Sequence, residues 1–532
     1  MPRQSTKIAL VNGNYRGVRW AILALAAVFF ALHAVHLNAD FPNHSPWMDW
    51  AKYTDEGWYG DAAIRYFLRG NWYVSGDFNP AVALPVWPLL EAGVFSIFGV
   101  SLGTARGLAV GVFGAILIVT YLLLRRMRQG SLVPAIAVLL LAVSPFIYAF
   151  SRLAILEPLL ILLTLLGLYA GSFLSPQAKG LPRWLPTITL GIIMPLMVLT
   201  KTTAVFLLPA IFWMIFAQSG YRWRSALRFA LPAGAISATL WASYFLIFVR
   251  PHYLADYRYL FSANQYTSFQ KEPLWKVIAN TFRDGMWMGR ISYLLVAVAI
   301  AAVVLTHRKA WRNPLYISLL LWVAGYFFFL AYHNNLQPRY YLVVAVPLTI
   351  LLAISLTLLS EDRAWVRGAA AAALAVVTIR AGMETLHYVR TPEYTYLNAA
   401  KRIRSTIDAD PRGNHLVLSI SGSNLALMTG LPAICDDFGT MDLDKRVAAY
   451  KPGWFIAWNI VEDDKMDALA PLYKLTRVAE YPALDDPERN LLIVYRLDPK
   501  DEPKPVKKPR KQPQFMATSL SDGKAKVSLD DE

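Results

Sequence analysis

A single cysteine, Cys435, stands among 532 residues. It excludes an intramolecular disulfide and any cysteine-based metal cluster. Charge is also scarce, at 17% of the chain against 56% hydrophobic residues, too little for a water-soluble protein of this length. The eight histidines form no metal constellation: His33 and His36 share a predicted helix with no third ligand, and His44, His252 and His333 read as ordinary loop or interfacial residues. No glycine-rich nucleotide loop and no internal repeat are present. Acids are outnumbered 36 to 52 by Lys and Arg, a net charge of +16. The bases gather at the ends of apolar runs, a pattern that membrane insertion explains without nucleic acid.

Long apolar runs are abundant. Stretches near 18–20 residues, enough to cross a hydrocarbon core, recur through the first three-quarters of the chain. The reading is a polytopic α-helical membrane protein with about 11 transmembrane helices. The first run, Val18 to Leu37, lacks a small-residue cleavage pattern and is read as a retained helix. Arg3, Lys7, Arg16 and Arg19 place residues 1–17 in the cytoplasm. A first outer loop, 38–106, follows. Its apolar piece Leu84 to Gly99 is short, contains Pro85 and Pro88, and reads as juxtamembrane or re-entrant. Counting it as a span would move the Arg125, Arg126 and Arg128 cluster outside. With that choice every short basic loop falls inside, and the transmembrane unit runs over 18–390. Residues 391–499 have the composition of a small extracytoplasmic α/β domain, with a helix at Tyr396 to Ile407 and strands at His415 to Ile420, Gly453 to Ile460 and Asn490 to Arg496. The tail 500–532, rich in Lys, Pro and Asp, reads as disordered.

The stretch Thr54-Asp55-Glu56-Gly57-Trp58-Tyr59 opens a predicted helix in the first outer loop, with Thr54 as N-cap and Gly70 as stop. Tyr59, Ala62, Ala63, Tyr66 and Phe67 share one face, as in a helix lying on a membrane surface. Asp55, Glu56, Arg106, Arg152, Glu157, Lys201 and Arg339 come from separate loops or span ends yet share one depth. Ionisable groups at that depth face a cavity or a partner. A carboxylate with several cations suits transfer from a lipid phosphate: the cations hold the leaving phosphate, and the carboxylate takes the attacking proton. Asp55 is read as the base and Glu56 as its neighbour. The plainer alternatives are a helix-start carboxylate for Asp55, a snorkelling anchor for Arg106, and an Arg152–Glu157 pair. Trp47, Trp50, Trp58, Trp72 and Trp87 read as interfacial aromatics, with Trp58 and Tyr59 also beside the site.

Asp55-Glu56 with Trp58-Tyr59, Pro88-Leu89, Phe98-Gly99-Val100-Ser101 and Arg106 resembles the first-loop signature of polyprenyl-phosphate-sugar-dependent transferases. These are the protein O-mannosyltransferases and their bacterial relatives, including lipid A aminoarabinose transferase, of the C-type glycosyltransferase fold. Ser151-Arg152-Leu153, Leu156-Glu157-Pro158, Leu199-Thr200-Lys201 and Gln337-Pro338-Arg339-Tyr340 are similar to later landmarks, so the resemblance covers roughly Asp55 to Pro347. It implies an inverting transfer outside the cytoplasm from a polyprenyl-phosphate-sugar donor to a lipid, glycan or protein acceptor, among membrane lipids. Asp55 and Glu56 would be catalytic; Arg106, Lys201, Arg339 and Tyr340 would bind the donor phosphate; Arg152, Glu157, Trp58 and Tyr59 would serve substrate or structure. No cofactor is assigned, and a divalent metal cation on Asp55, Glu56 and Glu157 stays open. One departure stands out. Relatives often carry Lys or Arg just before the Pro-Pro-Leu of this loop, where this chain has Pro85-Val86-Trp87-Pro88-Leu89. Lys201, Arg339 or a base of the second outer loop would then substitute. The alternative function is a transporter or flippase of lipid-linked glycans. It would carry polar residues within several spans and often paired halves.

Overall fold

The computed structural model describes residues 15–263, 288–333, 337–360, 364–486 and 489–500, with isolated positions between 273 and 279. The reading of the tail beyond residue 500 and of most of the N-terminal segment 1–17 therefore lies outside the described residues, as does part of the segment 250–290 read as a second outer loop.

Each apolar run predicted to cross the membrane lies on helix. In order these are α1 (Arg16–His33), then, after the outer loop that holds α2 (Asp55–Arg69) and α3 (Val86–Phe98), α4 (Leu102–Arg126), α5 (Val133–Val143), α6 (Pro145–Ser151), α7 (Leu156–Gly171), α8 (Leu181–Thr200), α9 (Leu208–Gln218), α10 (Trp223–Ser243), α11 (Arg290–Thr306), α12 (Pro314–Tyr332), α13 (Leu342–Leu359) and α14 (Ala364–Arg390). Six helices among the described residues are long and apolar enough to span on their own, or seven if the bent pair α5–α6 counts as one. The 68° bend of that pair has a local cause. Ser144 leaves the helical region and caps α6, accepting from the Ile147 amide, and Pro145 occupies the first position of the new helix. Helix α3 has 13 residues, about 20 Å at 1.5 Å per residue, well short of a ~30 Å core.

The chain then forms α15 (Thr395–Asp408), β1 (Val417–Leu418), α16 (Gly422–Thr429), β2 (Ala433–Ile434), α17 (Leu443–Tyr450), β3 (Trp454–Trp458), α18 (Asp463–Leu469), β4 (Tyr473–Pro482) and β5 (Leu491–Pro499). The strands make one sheet of order β2-β1-β3-β5-β4, with β1 parallel to β2 and β3, and β5 antiparallel to β3 and β4. Two strands go beyond the sequence reading. β2 has only two residues, and the alternation of β4 is broken by a bulge between Arg477 and Ala479.

Helix α2 is the joint between these parts. It ends at Gly70, whose φ of 75° puts it in the left-handed region. Thr54 stands at the N-cap position, but its hydroxyl accepts from no helix amide; it donates to the Trp50 carbonyl (3.1 Å) and to Asp55 Oδ1 (3.0 Å). Nor does α2 lie simply on a surface. It packs between α3 and α16 and buries Asp55, Glu56, Asp61 and Arg65 together with Ala62 and Ala63, leaving Tyr66, Phe67 and Leu68 exposed at its end. Gly57 permits this approach, because a Cβ there would lie 2.2 Å from the Asn424 backbone nitrogen. Trp47 and Trp87 are core residues rather than interfacial aromatics.

Candidate active site

Arg339 is the centre of a buried ionic cluster at one end of the helices. It lies in a short 3-10 turn, Pro338–Tyr341, that leads into α13. One guanidinium nitrogen meets Asp49 Oδ1 at 2.5 Å and another meets Asp55 Oδ2 at 2.7 Å. The Arg339 amide donates to Asp49 Oδ2 at 2.8 Å. Glu157, in the first turn of α7, lies 4.0 Å from Arg339 Nε and pairs directly with Lys201. Lys201 sits in extended backbone just after α8, with its ammonium 4.3 Å from the centre of the Tyr340 ring; the Arg339 guanidinium stands 4.7 Å from the same ring. All five charged side chains are buried. Three carboxylates, Asp49, Asp55 and Glu157, thus share two cations.

Three polar atoms of this cluster make no hydrogen bond among the described residues: Arg339 Nε, Glu157 Oε2 and Asp55 Oδ2, the last ion-paired with Arg339. A donor and an acceptor buried without partners are costly, and each is open to a ligand. Burial pushes the Asp55 carboxyl up to about 6; Arg339 opposes this, and Asp49 and Glu157 reinforce it.

Glu56 belongs to a different group. Its carboxylate takes a two-pronged hydrogen bond from Arg106 Nε (2.8 Å) and a terminal nitrogen (2.6 Å) and another from the Ala154 amide (3.0 Å). The remaining Arg106 nitrogen donates to the carbonyls of Leu37 (2.8 Å) and Ala39. Arg106 is therefore a clasp tying α2, α4 and the end of the first span together, with its guanidinium nitrogens committed to Glu56 and backbone. In this arrangement the guanidinium expected to hold phosphate is engaged by Glu56 and by backbone. Arg152 is likewise committed, to the Tyr148 hydroxyl and to the carbonyls of Val35 and His36. It makes no ion pair with Glu157, whose Oε1 pairs with Lys201. Trp58 is structural: its indole donates to the Ile420 carbonyl at 3.1 Å and packs edge-on against Phe78 and Phe438. Tyr59 is close enough to Asp55 and Arg339 to interact electrostatically with both. Among the described residues no group of three or more His, Cys, Asp or Glu converges as metal ligands; Asp55 and Glu56 turn to different cations, so the set Asp55, Glu56 and Glu157 is not brought together.

Asp49 is the site residue that sequence reasoning overlooked. Its signal was an acid six residues before Asp55 inside an aromatic stretch, Trp47-Met48-Asp49-Trp50. It caps the turn Trp50–Lys52 by accepting from the Ala51 amide at 2.8 Å, and that cap aims its carboxylate at Arg339.

A family model described as dolichyl-phosphate-mannose-protein mannosyltransferase matches residues 80–248. No curated protein matches the sequence. Among solved structures, apo ArnT from Cupriavidus metallidurans superposes with a TM-score of 0.60 at 14% identity, covering 91% of this chain and 98% of ArnT. The same protein bound to undecaprenyl phosphate gives 0.59 at 14% identity, over 90% of this chain and 98% of that one. The oligosaccharyltransferase AglB from Archaeoglobus fulgidus, in complex with an inhibitory peptide and a dolichol-phosphate, gives 0.55 at 11% identity, over 83% and 69% of the two chains. The chain has the fold of these C-type glycosyltransferases.

Proposed function

We propose that this chain, an integral membrane protein of that fold, is an inverting glycosyltransferase. It moves a sugar from a polyprenyl-phosphate donor to an acceptor outside the cytoplasm, in a bacterial inner membrane. The family match and the lipid phosphates bound to ArnT and AglB support the donor class. The transporter alternative draws no support from them.

The observation that carries the mechanism is the buried Asp55–Arg339 pair, with Arg339 Nε unbonded beside Lys201. In the proposed reaction a donor phosphate oxygen accepts hydrogen bonds from the Arg339 Nε–H and the Lys201 ammonium, and these two cations fill the role of the one absent before Pro88. This draws Arg339 from Asp55 and strengthens Asp55 as a base, since Arg339, more than the Thr54 hydroxyl, lowers its proton affinity. The acceptor hydroxyl or amine attacks the anomeric carbon while its proton passes to Asp55. The bond between that carbon and the phosphate oxygen breaks, and the polyprenyl phosphate leaves with its charge held by Arg339 and Lys201. One displacement inverts the anomeric centre, so no covalent enzyme intermediate forms. Asp49 and Glu157 orient the two cations. Donor binding tests the phosphate assignment: Arg339→Gln and Lys201→Gln should each weaken binding of a polyprenyl-phosphate sugar at least about tenfold. Unchanged affinity in both would refute it.

A further inference from the structure

A cavity lies along β3 and α18 of the C-terminal sheet. It has a volume of about 220 Å³ and is lined by Asp436, Trp458, Asn459, Lys465 and Arg489, among others. Asp436 is 4% exposed, and its Oδ1 makes no hydrogen bond among the described residues. Lys465 is buried too, held by Asp464 at 3.1 Å, Asp437 at 3.4 Å and Glu462 at 3.6 Å. Two of its lining residues reach Tyr53, just before α2. Arg489 donates to the Tyr53 hydroxyl at 2.6 Å, two residues before Asp55. Trp458 meets the Tyr53 ring edge-on, 5.9 Å between centres. Ile420, another lining residue, accepts from Trp58.

The lining is chemically mixed. It offers a carboxylate with a free oxygen, a carboxamide, an ammonium and a guanidinium beside aromatic carbon. An anion is disfavoured by the acids that crowd Lys465, and a purely apolar ligand would leave the buried polar atoms unpaired. Alternating hydroxyls and C–H faces match this pattern. The volume, below the ~300–1,000 Å³ of drug-sized sites, suits a single sugar ring. We infer that this cavity is an acceptor subsite that binds a neutral sugar ring of the acceptor beside the catalytic turn. The identification of the ring as acceptor rests on the proposed transferase function; its binding does not.

The test is saturation-transfer NMR on the purified full chain in a non-glycosidic detergent. The probes are the methyl glycosides of glucose, mannose, galactose and N-acetylglucosamine, supplied without donor. The expected result is transfer to at least one glycoside, retained in Asp55→Asn and reduced at least about tenfold in Asp436→Leu, which removes the buried carboxyl oxygen open to the ring. Ile460→Trp, at an exposed rim position, leaves the buried lining intact and should reduce transfer as well, so a folding defect in the first variant does not decide the matter. No transfer to any of the four glycosides, or full transfer in both cavity variants, would overturn the inference. Failure of the transferase reading would appear separately, as absent donor turnover with glycoside binding intact.

Discussion

At the scale of single residues, Asp55 is distinguished by the charges it shares. Burial and two neighbouring carboxylates raise its proton affinity, and Arg339 restrains it. A base must be deprotonated to act, so kcat/KM should rise with pH through about 6 and level above it. Asp49→Asn removes a charge that raises the Asp55 value, so the acid limb of the profile should move to lower pH. A limb that stays put in Asp49→Asn would separate the titration from Asp55. Arg339→Met leaves Asp49 and Asp55 buried without their shared cation and should destabilise the protein by about 3–5 kcal/mol, read as a lower unfolding midpoint in detergent. Asp55 and Arg339 were both legible in the sequence as charges at one membrane depth. Their partners were not: Glu56 adjoins Asp55 in sequence, but successive helix positions point about 100° apart, so one carboxylate reaches Arg339 and the other Arg106. Asp49 was hidden because only the fold shows that a short turn brings it to Arg339.

At the scale of elements, α2 couples the membrane helices to the sheet. Its Arg65 pairs with Asp61 at 2.7 Å and Asp77 at 2.5 Å, while Asp77 also meets Arg446 at 3.2 Å and accepts from the Cys435 amide at 3.1 Å. Lys52 joins Asp486 at 2.8 Å in a second buried pair. The small residues of α2 make this packing possible: a Cβ at Gly60 would fall 2.1 Å from Glu91 Oε2, and one at Gly57 would strike backbone. Gly57→Ala should therefore pry α16 from α2, raising the rate of proteolysis beyond residue 390 several-fold and lowering transfer. Unchanged protection would show that the contact is dispensable. The boundaries of α2 were readable from Thr54 and Gly70. Its burial was not, because the α16 residues that cover Gly57 and Asp61, Asn424 and Ser423, lie more than 350 residues away.

At the scale of the molecule, the alternation of apolar runs with basic loops conveyed the helical frame, and the short run with two prolines the shortness of α3, since hydrophobic length is a local property. The sheet was only half legible, because strands of two residues and a bulged edge strand carry little period. The charge pattern predicts a definite orientation. In a Cys435→Ser background, a cysteine replacing exposed Lys474 on β4 should react with an impermeant maleimide from the extracytoplasmic side, and one replacing exposed Lys179 only after permeabilisation. The opposite pattern would invert the orientation and put Asp55 on the cytoplasmic side.

The central claim is that Asp55 removes the acceptor proton while Arg339 and Lys201 hold the donor phosphate. It is tested most directly by turnover of polyprenyl-phosphate sugars by the purified chain, wild type against Asp55→Asn, with donor binding measured in parallel. The predicted result is a loss of about 100- to 10,000-fold in kcat with donor affinity retained. Equal turnover in the two proteins would contradict it.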